Sequence, residues 1–96
     1  MEAKEMFKIA YGGNKNAMSD KILSYGKINQ TLAYELSIGS NFLSQGYTYA
    51  VSLVEQIGNE LKGNNDLFKT FDNRREAEAY IKQLKREVKE KEKAIT

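Results

Sequence analysis

Residues 31–38, "TLAYELSI", alternate without a break. Leu32, Tyr34, Leu36 and Ile38 fall on one side, and Thr31, Ala33, Glu35 and Ser37 on the other. A period of two with β-favouring side chains predicts a half-buried strand. "YTYAVSLVE" repeats the pattern, with Tyr47, Tyr49, Val51 and Leu53 opposite Thr48, Ala50, Ser52 and Val54. Ala50, Val54, Ile57 and Leu61 also fit a helical stripe, but the β-branched and aromatic run, with Gly58 inside that supposed helix, favours the strand. "GSNFLSQG" between the two is short enough to join an antiparallel pair.

"LFKTF", from Leu67, predicts a third and shorter strand. The segment after it predicts a helix. Asn73 suits the N-cap, Glu76 three residues later completes a capping box, and Ala77, Ile81, Leu84 and Val88 recur at helical spacing with Tyr80 beside them. Past Val88 the stripe stops and "KEKEK" is charged all round, so residues 89–96 are expected to stand in solvent as a frayed tail.

The first thirty residues admit two readings. In "MFKIAYGG", Phe7, Ile9 and Tyr11 alternate as in a strand, while Ala3, Phe7 and Ala10 share one helical face with Gly12 as a stop. "DKILSYGKI" either pairs with residues 31–38 through a turn at Asn29-Gln30 or forms a short helix. Strands are the expectation in both places. The elements sum to one α+β domain over residues 1–96: a three- to four-stranded antiparallel meander with a C-terminal α-helix packed on one face. A strand, a short turn and a helix reading "REAEAYIKQL" occur in many unrelated small domains, and the pattern points to no one family.

Composition narrows the chemistry. The chain has no cysteine and no histidine, which removes disulfides, thiolate nucleophiles, the commonest general base and the commonest transition-metal ligands. The serines lack a G-x-S-x-G elbow. "GGNKN" matches neither the P-loop nor the dinucleotide fingerprint and reads as a turn. Carboxylates on the C-terminal helix alternate with lysines at ion-pairing spacing, as in Glu78–Lys82 and Glu87–Lys91. No enzyme, metal or cofactor is expected. With no apolar run of signal-peptide or membrane-span length, the expectation is a soluble, cytoplasmic protein.

Two surfaces invite a partner. If the helix covers the Leu/Tyr/Val side of the sheet, the other side is Thr31, Ala33, Glu35, Ser37, Thr48, Ala50, Ser52 and Val54. That face is flat and bears a single charge, where solvated sheets normally carry Lys, Glu, Arg and Gln. It is closed by the N-terminal segment, by a second copy in a homodimer, or by a partner protein. The second surface is basic. Net charge is only +2, but residues 74–93 hold eight Lys or Arg against five Glu. Arg74 and Arg75 stand in the helix's first turn, where free N–H groups already attract anions. The structural account pairs Arg74 with Glu78; the functional one makes the two arginines an anion site with Lys69 and Lys15 as neighbours. Tyr34, Tyr47 and Tyr49 read as core side chains before they read as base-stacking platforms. The expectation is thus a small non-enzymatic accessory or regulatory protein that binds a protein partner or itself. The alternative is a module for single-stranded DNA or RNA using a sheet face and the basic helix.

Overall fold

The computed structural model describes residues 1–11, 21–41 and 46–95. Its order is α1 (Ala3–Ala10), β1 (Lys21–Lys27), β2 (Leu32–Asn41), β3 (Gly46–Ile57), β4 (Glu60–Gly63), β5 (Lys69–Phe71) and α2 (Arg74–Ile95). The strands form one antiparallel sheet in the order β1-β2-β3-β4, and β5 also pairs with β3. This is the α+β meander with a C-terminal helix that the periodicities predict. β3 is long enough to hold β5 opposite Tyr49–Val51 and β4 opposite Val54–Ile57 along one edge.

Local chemistry accounts for the connections. At the β1–β2 turn the Asn29 Oδ1 accepts from the Thr31 N–H (2.8 Å) and the Leu32 N–H (2.7 Å). This is the Asx geometry that lets asparagine end a strand. Gly58, at φ 63°, opens the two-residue connection from Ile57 to Glu60, a backbone region costly for other residues. Asn64 organises the next loop, its Oδ1 accepting from the N–H groups of Asp66 and Leu67.

Two cores sit on the two faces of the sheet. On one, Ala77, Tyr80, Ile81 and Leu84 of α2 pack on Leu32, Leu36, Val51 and Leu53. The Tyr80 hydroxyl donates to the Leu67 carbonyl at 2.6 Å. Tyr34 lies across Gly26, its cross-strand partner, so closely that a Cβ there would fall 2.5 Å from the ring. On the other face, Ala3, Met6 and Phe7 of α1 pack on Ala33 and Val54.

One expectation is overturned, and the lengths of other elements are set by the structure. "MFKIAYGG" starts in a helix, because Ala3, Met6, Phe7 and Ala10 form an i, i+3, i+4, i+7 stripe that can cover the second face. The alternation Phe7, Ile9, Tyr11 would have split them. Residues 60–63, which the periodicities do not mark as an element, form β4. α2 continues past Val88 through the charged tail to Ile95, in a sequence whose Lys and Glu are good helix formers. "DKILSYGKI" does supply a strand, β1. "LFKTF" is a strand only over its last three residues.

Candidate functional site

The small-residue face is largely interior. Ala33, Glu35, Ser37 and Ser52 are buried, Thr48 and Ala50 are half-buried, and Thr31 is exposed. Of the three occupants considered for this face, the chain's own N-terminal segment covers the Ala33–Val54 region as α1. A second copy or a partner can reach Ala33 and Val54 only by lifting that helix.

One ionisable group is enclosed with them. Glu35 is cross-strand to Tyr25 on β1 and to Ser52 on β3. Burial raises its carboxyl above the ordinary 4.5, and the hydrogen bond donated by the Tyr25 hydroxyl partly offsets that. Burial, and then the charge of Glu35, in turn push up the hydroxyls of Tyr25 and Tyr11. The linkage follows from the sign. A carboxyl whose folded pKa exceeds its unfolded one binds its proton more tightly when folded. Its contribution to stability is full below about pH 4.5 and is lost as pH rises through the folded pKa. Glu35→Gln, which keeps an acceptor for Tyr25, should therefore gain stability on wild type between about pH 4 and pH 7. Urea unfolding of both proteins at the two pH values measures this. A difference that is flat or reversed with pH would show that folding does not raise the carboxyl's pKa.

The exposed side of α2 has a different character. Lys82, Lys85, Arg86 and Lys89 follow at steps of three, one and three residues, and Arg75 lies two turns before Lys82. At 3.6 residues per turn these side chains share one flank of the helix. Glu78, the carboxylate on that flank within residues 74–91, is paired with Arg74 at 3.2 Å. Glu76, Gln83 and Glu87 run along a second flank, with Gln83 donating to Glu87 at 3.0 Å, and Glu90 stands between the two flanks, one turn after Arg86. Tertiary contacts orient the two sides. The Lys85 ammonium lies 5.6 Å from the centre of the Tyr34 ring, which turns the basic flank towards β2. Glu87 acts electrostatically on Tyr80, whose ring packs against Phe71 of β5, so the acidic flank faces β5.

Beside the basic flank an open groove of about 610 Å³ is lined by Ile28, Asn29, Gln30 and Thr31 of the β1–β2 turn and by Lys85, Val88 and Lys89 of α2. Ile28 and Val88 also lean on the core, which gives the groove an apolar floor. Its turn wall is tied down: the Lys27 ammonium donates to the Gln30 carbonyl at 3.0 Å, and the Gln56 N–H to the Thr31 carbonyl at 2.7 Å.

Of the four cations first considered for an anion site, three lie among the described residues. Arg74 is engaged by Glu78. Lys69 lies 4.9 Å over the Tyr80 ring, on the β5 side of α2. Arg75 is exposed on the basic flank, and Lys15 lies outside the described residues. The first turn of α2 is capped as expected, Asn73 Oδ1 accepting from the Glu76 N–H at 2.9 Å. Tyr34 and Tyr49 pack against the core beneath α2, whereas Tyr47 is 65% exposed. The sheet therefore offers no row of stacking tyrosines. Sequence reasoning paired the α2 charges along the helix and so missed their sorting around it, although the spacings carry that signal. The groove has no sequence signal, because its two walls are more than fifty residues apart in the chain.

Among the described residues no three acidic side chains converge to hold a metal ion, and no helix is long and apolar enough to cross a membrane. Compared with known protein families, curated proteins and solved structures, the chain matches none of them.

Proposed function

We propose that this is a small non-catalytic accessory protein that acts by binding, and that its contact surface is the basic flank of α2, which receives a polyanion. The observation that carries this reading is the separation of charge around α2. Lys82, Lys85, Arg86 and Lys89 stand together, with Glu78 on their side paired to Arg74 and Glu90 at their margin, although the chain as a whole is only +2. A local field of one sign attracts and holds a partner in a way that net charge does not express.

A second reading is self-association through the β2–β3 hairpin. Gly39–Asn41 pair with Gly46–Thr48 beyond the stretches that β1 and β5 cover, and Tyr47 is largely exposed there. One measurement separates the two: light scattering coupled to size exclusion, with and without heparin as the polyanion. Monomeric mass alone and a heparin complex that dissolves with salt support the basic flank. Dimeric mass without a heparin complex favours the hairpin. Monomeric mass under both conditions removes both.

A further inference from the structure

The groove beside α2 combines features that no single one of its residues would suggest. Its floor is apolar, formed by Ile28 and Val88. Its turn wall carries the exposed side chain of Gln30, beside Asn29 and Thr31, which are bonded to each other within the turn, and Lys85 and Lys89 stand on its helical wall. An apolar slot with polar groups at its margin suits a flat heteroaromatic ring with hydrogen-bonding edges. Adjacent cations suit a phosphate attached to that ring. One nucleotide satisfies all three parts at once.

The basic flank extends the match beyond one unit. Lys82, Lys85 and Lys89 succeed each other at about one helical turn, ~5 Å. That spacing follows the phosphates of an extended strand. A duplex meets the flank equally well, but its bases are stacked and paired and cannot enter a lateral groove. We infer that the α2 groove seats one unstacked base of a single-stranded nucleic acid while the flanking lysines track its phosphates. This deepens the basic-flank reading and rests on it. An acidic peptide is the competing occupant, since an apolar side chain with neighbouring carboxylates meets the same floor and cations. The exposed Gln30 amide on the turn wall favours the nucleotide, because it answers a base edge that a peptide's apolar side chain lacks.

The test is fluorescence anisotropy of a labelled mixed-sequence single strand, and of the duplex of the same sequence, at low and moderate salt. The single strand should bind several-fold more tightly than the duplex. Lys85→Gln with Lys89→Gln should weaken it about tenfold at low salt and lower the salt slope by about 1.4, at ~0.7 per phosphate contact. Lys4→Gln with Lys8→Gln, which removes two cations from α1, should change it less than about twofold. Val88→Glu should abolish the preference for single strands. Because Val88 also touches the core, Gln30→Glu on the exposed turn is the companion variant, with the same expected result. Equal affinity for duplex and single strand, or indifference to both groove variants, would overturn the seated base while leaving heparin binding, and so the basic flank, intact. Displacement of the strand by oligoglutamate at equal concentration of charge would assign the groove to acidic peptides instead. Loss of heparin binding as well would remove the parent reading.

Discussion

Replacing Phe7 by alanine is expected to cost about 3–5 kcal/mol, the range for removing a buried aromatic ring from a packed core. Phe7 is 4% exposed, and its ring lies 5.9 Å from that of Tyr11 and 5.6 Å from that of Tyr25. The reason for so large an effect is the size of α1. Helices much shorter than ~12 residues are marginal in water, so docking keeps this one folded. α1 has eight residues, and no side chain caps its N-terminus. Met6 and Phe7 are its large buried anchors, and losing one removes both contact area and the reason for the helix to form. Amide hydrogen exchange should quicken from Met6 to Tyr11, where the Tyr11 N–H donates to the Phe7 carbonyl at 3.0 Å. The Glu35 carboxyl should titrate closer to its ordinary range as water reaches it, a shift that carbon-detected NMR reads directly. A loss below about 1 kcal/mol with unchanged exchange would show that α1 does not close this face.

Leu36→Ala should cost about 2–5 kcal/mol, through the other core. Leu36 is 1% exposed at the centre of β2, paired across to Ser24 on β1 and Val51 on β3, and it lies in the cluster against which α2 packs. Truncation leaves a void that three strands and a helix cannot collapse without breaking register. Against a typical domain stability of roughly 5–15 kcal/mol, this single change removes a large share. In urea the midpoint should fall while the slope stays fixed, because the unfolded surface is the same. Leu36→Met, which conserves volume, should cost less than about 1.5 kcal/mol. A Leu36→Ala protein as stable as the methionine variant would mean that α2 does not press on β2 at this point. The two substitutions address opposite faces, so their effects should add to within about 0.5 kcal/mol.

Much of this architecture can be read along the chain. The period of two in residues 31–38 and 47–54 depends only on neighbours in sequence, and both segments are strands for that reason. The Asn73 cap and the stripe from Ala77 to Val88 are equally local, and α2 begins and packs where they place it. The charge sorting on α2 was also present in the spacings, because a helix converts residue number into angle. Pairing each charge with its i+4 neighbour hid it.

Tertiary structure alone decided the rest. The segment of Met6 to Tyr11 carries hydrophobic positions that satisfy either period. A sheet face of alanines, serines and one glutamate that needed a cover selected the helix. That same contact turned Glu35, an ordinary strand residue by its sequence, into a buried carboxyl with a raised pKa. β4 is four residues long and has little pattern of its own; the free edge of β3 supplies its partner. The groove exists because the β1–β2 turn and the second half of α2 meet on one side of the sheet. Local sequence determines which way a side chain points from its own element. What stands opposite it is set by the packing of elements far apart in the chain, and burial, pKa and binding shape follow from that.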